Sequence, residues 1–314
     1  MRAGLAALAL FGAAGCALPD AALEPEQAGP DFALQGEYAA AGAPWAAQLV
    51  AQGGGAFEAA FLRGGLPGAG WDGSPRVRAR SAAAGGGLHF ESADGALRAE
   101  LAAGRLRVSS AQGERFELAR TERRSPTLGA PPPAGALALF DGRSGAGDFD
   151  GRVDARGLLE AGAVSRSHFG SFRLHLEFRT PFEPGGRGQF RGNSGVYLQG
   201  RYEIQVLDSF GLEGADDECG ALYGLKPPDL NMALPPLAWQ TYDVDFEAAR
   251  FDAQGRKLRP ARVSVEHNGV RIHERVALPG PSGRGDAEGP EPGPIRLQDH
   301  WHPVVYRNLW LEPR

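Results

Sequence analysis

The stretch GNSGVYLQGRYEIQVLDS, Gly192 to Ser209, decides the fold. From Gly195 to Val206 β-branched and aromatic residues are dense and apolar positions alternate with polar ones, the period of strands with one buried face. A two-residue loop at Gly200-Arg201 would mix Glu203 and Gln205 with Val196 and Leu198. A three-residue loop, Gln199-Gly200-Arg201, with Gly200 at or near the left-handed position, pairs Tyr197 with Glu203 and Val196 with Ile204 instead. Each face is then pure: Val196, Leu198, Tyr202, Ile204 and Val206 enter a core, and Tyr197, Glu203 and Gln205 share the other side. Asp208 lies an odd number of positions beyond Glu203, so a bulge near Val206-Leu207 is needed to return it to that side.

The rest of the chain speaks the same language. With 46 Gly and 24 Pro in 314 residues, short strands and turns are favoured over long helices. Alternating runs such as AFEAAFL, RVRARS, LRAEL and RFELAR recur between Gly-rich turns from residue 31 to 123, which predicts a small antiparallel β domain. Residues 124–134 contain TLGAPPPA, a proline-stiffened linker. Residues 135–314 carry FRLHLEFRT, TYDVDFEAA, RVSVEHNGVRIHERV and VVYRNLWLE, an all-β sandwich with a hairpin at Asn268-Gly269. The run Pro279 to Pro294 reads as a mobile acidic loop, and its Arg284-Gly285-Asp286 tripeptide as chance. Trp71, in a Gly-rich loop, is either a packed plug or a sugar platform.

The net charge of −5 gives no electrostatic reason for nucleic-acid binding. Arg2, the apolar run Ala3 to Ala14 and then Gly15-Cys16 predict a signal peptide over 1–15, cleaved before a lipidated Cys16. Residues 16–30 follow as a flexible tether. Two acyl chains would hold the product at a membrane, which predicts an exported lipoprotein of the bacterial cell envelope, in the periplasm or at the cell surface. Cys219 is then unpaired, a buried small hydrophobe or free thiol.

YLQGRYEIQVLDS, CGALYG at Cys219, WQTYDVDF at Trp239, HNG at His267 and LQDH at Leu297 together resemble one family, the 3-keto-disaccharide hydrolase domain, also known as domain of unknown function 1080. The resemblance begins at LALFDGRSG and covers roughly Leu137 to Leu311. It implies a concanavalin A-like jelly roll, distantly similar to family 16 glycoside hydrolases, whose concave face binds a carbohydrate substrate. Where the family 16 motif has a Glu, an Asp and a second Glu, this chain has Glu203, Gln205 and Asp208, which speaks against ordinary retaining hydrolysis.

A 3-keto sugar opens another route. The ketone acidifies the C2 hydrogen, and the glycosidic oxygen on C1 can leave by elimination, followed by hydration of the double bond. The residue types suit this: Glu203 or His300 as base, Asp208 as acid or metal ligand, and Asn193, Gln205 and Gln298 as hydrogen-bonding groups, with Tyr197 stacking or donating. The bland alternative pairs Glu203 with Arg201 or Arg191 and lets Asp208 cap a turn. No cofactor is required by the sequence; a divalent metal ion at Asp299, His300 and His302 stays open, as does calcium at Asp216-Asp217-Glu218. His168, His175, His267 and His273 read as ordinary strand histidines. The alternative function is a non-catalytic, lectin-like carbohydrate-binding envelope protein, and a third is an adhesion or scaffold protein working through its N-terminal module. Convergence of Glu203, Asp208 and His300 in one pocket would favour chemistry, and dispersal along an aromatic-lined groove would favour binding.

Overall fold

The computed structural model describes residues 21–84 and 87–314. The expected signal peptide and lipidated Cys16 lie outside the described residues. Among these, no helix is long and apolar enough to cross a membrane.

Eight antiparallel strands, from Gly36–Ala39 to Arg115–Thr121, form a closed barrel, because the first strand pairs with both the second and the eighth. Closure leaves no free sheet edge. Alternation fills the interior with small and large side chains, including Ala47, Ala51, Ala59 and Ala99 against Phe57, Phe61 and Phe90. The meander expected here therefore closes on itself, which no local pattern announces.

The rest of the chain is a two-sheet sandwich. One sheet has five strands in the spatial order Phe149–Asp150, Val164–Ser165, Arg296–Leu297, Ser194–Leu198 and Tyr202–Val206. The other has seven: Leu159–Glu160, Val305–Pro313, Phe172–Arg179, Gln240–Glu247, Ala261–His267 and Val270–Leu278, with Leu137–Phe140 also pairing to Val305–Pro313. Val196, Leu198, Ile204 and Val206 from one sheet meet Leu174, Leu176, Phe178, Val244 and Val265 from the other in one core. Asn268 and Gly269 close their hairpin with φ of 52° and 76°, as a two-residue turn with both residues left-handed demands.

Three connecting segments, the expected flexible tether, stiff linker and mobile loop, are packed against the domains. Ala22, in the expected tether, exchanges backbone hydrogen bonds with Phe182 (3.1 and 2.9 Å), and Glu24 pairs with Arg156 (2.6 Å) and Arg179 (2.7 Å). The linker lies on the seven-stranded sheet: the Gly129 amide donates to Glu177 (2.5 Å) and Ala130 accepts from Trp310 Nε1 (3.0 Å). The expected mobile loop is a strap, because the buried Arg201 guanidinium donates to the carbonyls of Ala287, Gly289 and Glu291 (3.1, 3.3 and 3.1 Å). A guanidinium offers five donors in a fixed fork, so one side chain can fix several turns of irregular chain.

Candidate active site

The 194–206 hairpin takes the expected register, Val196 opposite Ile204 and Tyr197 opposite Glu203. Gln199 and Gly200 both turn left-handed, with φ of 53° and 67°. A side chain at Gly200 would strike Asp286 of the strap, so glycine there serves both the turn and the close approach.

The outward face of this hairpin is covered. Glu203 is 3% exposed and Tyr197 1%, because the strap and the segment around Tyr223 lie across them. Ser282 Oγ accepts from the Glu203 amide (3.1 Å), and the Tyr223 amide donates to the Glu203 carbonyl (3.2 Å). The Glu203 carboxylate fits over Gly195, where any Cβ would collide with it. Tyr197 Oη donates to Glu203 Oε2 (2.7 Å) and accepts from Gln298 Nε2 (3.3 Å). Arg296 lies over the Tyr197 ring, its guanidinium carbon 4.1 Å from the centroid. Burial pushes the Glu203 carboxyl up to about 7, against the Tyr197 hydrogen bond and the Arg296 charge.

Asp208 does not join this pair. The strand ends at Val206 in regular register, without the expected bulge, and Asp208 turns to Arg191, whose Nε donates to Oδ2 at 2.6 Å. Its Oδ1 accepts from the Phe210 amide (3.3 Å), the turn-capping role of the bland alternative. Arg191 also donates to the Ala51 carbonyl of the barrel (3.1 Å), so the barrel braces the loop behind the site. Both Asp208 oxygens are thus engaged away from Glu203, and burial pushes its carboxyl up against the pull of Arg191 and the Phe210 amide.

Asn193 and Gln205 meet at Gln189, a residue the sequence did not single out. Gln189 Oε1 accepts from Asn193 Nδ2 (2.8 Å) and Gln205 Nε2 (3.0 Å). Glu183, also missed, takes hydrogen bonds from the Gly192 amide (2.6 Å) and His302 Nδ1 (2.7 Å). Nothing in PFEPGG marks Glu183 as special. Arg296 could have been found, since it sits two residues before Gln298 in PIRLQDH and shares its face.

His300 follows Gln298 by two residues and is half-buried. Burial lowers its pKa, helped by the neighbouring His302 and Arg284, and its Nδ1 has no partner. Three other buried polar atoms along this edge are unpartnered: Asn193 Oδ1, Gln298 Oε1 and Glu183 Oε1. Orphaned acceptors are costly and rare in folded chains.

The metal expectation does not fit. Asp299 is exposed and accepts from the Trp301 amide (2.9 Å), while His302 faces Glu183. Among the described residues no group of three His, Cys, Asp or Glu could hold a metal ion. Glu218, in the expected calcium cluster, instead takes the Gly214 and Ala215 amides (2.7 and 3.1 Å). Cys219 is buried against the Tyr242 hydroxyl (3.2 Å), with its thiol pushed up to about 11 by burial, so it is no nucleophile. Trp71 is a plug, donating to the Ser74 carbonyl (3.1 Å) beneath Arg76. His267 and His273 are buried in the interior, each bonded through Nε2, to Gln240 (3.0 Å) and the Gly220 carbonyl (2.8 Å), with Nδ1 unpartnered in both.

No curated protein matches the chain. A solved structure from Parabacteroides distasonis, named as a candidate glycosyl hydrolase, is 28% identical with a TM-score of 0.53, covering 58% of this chain and 85% of its own. A second structure so named from that organism is 18% identical with a TM-score of 0.41, covering 57% of this chain and 94% of its own. The family model described as the 3-keto-alpha-glucoside-1,2-lyase-like domain matches residues 135–312, more than half of the chain. The chain therefore belongs to the 3-keto-alpha-glucoside-1,2-lyase-like family, and the sandwich is its carbohydrate-active domain.

Proposed function

We propose that the protein cleaves 3-keto-glycosides by elimination across C1 and C2. What supports this reading is a buried carboxyl at Glu203 poised near neutrality and, on the segment whose Gln298 reaches Tyr197, an imidazole at His300 whose pKa burial lowers. General acid–base work at neutral pH needs such a pair, and a lectin does not.

The His300 imidazole takes the proton from C2, which the C3 ketone acidifies. The electron pair forms the C1–C2 double bond as the C1–oxygen bond breaks. The departing oxygen needs a proton, and Tyr197 Oη can supply it. When Glu203 is ionised, the Tyr197 hydroxyl donates to it. When Glu203 is protonated the donor reverses, freeing the Tyr197 proton for the leaving oxygen while Glu203 replaces it. Glu203 thus acts through Tyr197, consistent with its burial. Water added across the double bond, with the C2 proton returned by His300, completes a net hydrolysis; without that addition the protein is a lyase.

The test is incubation of the purified protein with a 3-keto-disaccharide and its unoxidised parent in deuterated water. Release of sugar from the ketone alone, with deuterium at C2 of recovered material, is expected. Equal release from the parent overturns the reading. The envelope lipoprotein assignment is likewise our proposal, supported by the Ala13-Ala14-Gly15-Cys16 sequence; mass spectrometry of the membrane-bound protein should find a lipid on Cys16.

A further inference from the structure

A cavity of 760 Å³ is lined by Glu24, Arg152, Glu160, Asp299, Trp301 and His302, among others. This volume lies within the range of small-molecule clefts, roughly 300–1,000 Å³. Trp301 is 70% exposed, the most exposed large hydrophobic side chain among the described residues. It is not there by default. Its backbone is left-handed, with φ of 63°, a conformation that a bulky residue adopts only under constraint, and Asp299 Oδ1 holds its amide at 2.9 Å.

The ring meets the edge of His300 at 5.1 Å between centroids. The imidazole therefore has Trp301 against it, on the same segment as Gln298, which reaches Tyr197. Around the cavity charges are paired, Arg152 with Glu160 (2.9 Å) and Arg156 with Glu24 (2.6 Å). Such a wall offers donors and acceptors to hydroxyls without a net positive field for an anion. An exposed indole face with flanking paired charges suits the apolar face of a neutral pyranose.

We infer that this cavity is the subsite for the departing sugar, with Trp301 as its stacking platform and the N-terminal segment at Glu24 as part of its wall. The inference rests on the proposed cleavage and assigns its substrates: glycosides whose leaving group is a second neutral sugar ring. It also gives the packed residues before the barrel a role at the site.

The experiment compares wild type, Trp301→Ala and Trp301→Phe on a 3-keto-disaccharide and on the methyl 3-keto-glucoside. The ratio of kcat/KM, disaccharide over methyl glycoside, should fall about tenfold in Trp301→Ala and be largely retained in Trp301→Phe. A parallel titration follows tryptophan fluorescence with the unoxidised disaccharide, and a saturable change should be present in wild type and lost in Trp301→Phe. An unchanged ratio together with an unchanged fluorescence response overturns the subsite. Absence of turnover in wild type with a Trp301-dependent fluorescence response would instead remove the cleavage reading and leave the sugar site standing.

Discussion

Glu203 and Glu177 occupy matching places, each on the outer face of one sheet of the same sandwich and each almost wholly buried. Their surroundings differ completely. Against the upward push of burial, His175, Asn308, Arg307 and the Gly129 amide pull Glu177 down to about 2. The Arg307 nitrogen lies 2.6 Å away and the linker seals the cluster from above. Asp243 and Glu177 likewise raise the His175 pKa against its burial, with Asp243 at 2.8 Å. Glu203 has one tyrosine and the field of one arginine, and burial wins, leaving it at about 7. Burial with full compensation makes a structural joint, whereas burial with partial compensation makes a group that can exchange protons at neutral pH.

The largest contrast should appear in turnover. His300→Ala is expected to lower kcat on a 3-keto-glycoside by about 10²- to 10⁴-fold, while Glu177→Gln leaves the kcat of the folded protein in place. Steady-state kinetics on the two variants checks this, and equal losses would erase the distinction between the two faces.

Stability should show the reverse. Glu177→Ala leaves the Gly129 amide and Asn308 without this acceptor and His175 with Asp243 alone, while the half-exposed Arg307 rehydrates, and should cost about 1–3 kcal/mol in denaturant titration. A cost under about 1 kcal/mol would mean that the cluster is not a joint.

Acid should also read out Glu177. Its folded pKa lies below the ordinary 4.5, so its contribution is present above pH 4.5 and lost as pH falls through 4.5 towards 2. The loss amounts to about 3 kcal/mol, and Glu177→Gln should flatten that limb of the pH–stability curve.

The smallest effect is expected from Gly195→Ala. The new methyl collides with the Glu203 carboxylate and should destabilise by about 1–3 kcal/mol while lowering kcat. Unchanged kcat would show that the seat of Glu203 over Gly195 has no bearing on turnover.

The hairpin register was legible in the sequence because a one-residue slip would have mixed two faces, and the turn residues agreed with the pattern. The side of Glu203, Gln205 and Tyr197 followed from that alone. Four features were not legible. The strap was invisible because Pro279 to Pro294 carries no period, and its order comes from Arg201, remote in sequence. Asp208 went astray because strand alternation ends at Val206 and the partner that captures it, Arg191, lies on another loop. Glu183 and Gln189 had no pattern at all, since their roles arise only where loops meet. Closure of the barrel is likewise a long-range pairing, between residues 36–39 and 119–121.

The central claim is that the site keeps Glu203 protonatable near neutrality at a cost to the fold. Because its folded pKa of about 7 exceeds the ordinary 4.5, the folded state holds a proton the unfolded chain has released, and stability falls as pH rises from 4.5 through 7, by about 3 kcal/mol. Glutamine cannot ionise. Unfolding free energies of wild type and Glu203→Gln, measured from pH 5 to 8, should therefore diverge, with the variant losing this slope, matching or exceeding wild type at pH 8, and failing to turn over a 3-keto-glycoside. A variant with the wild-type slope, or one clearly less stable than wild type at pH 8, would contradict the account.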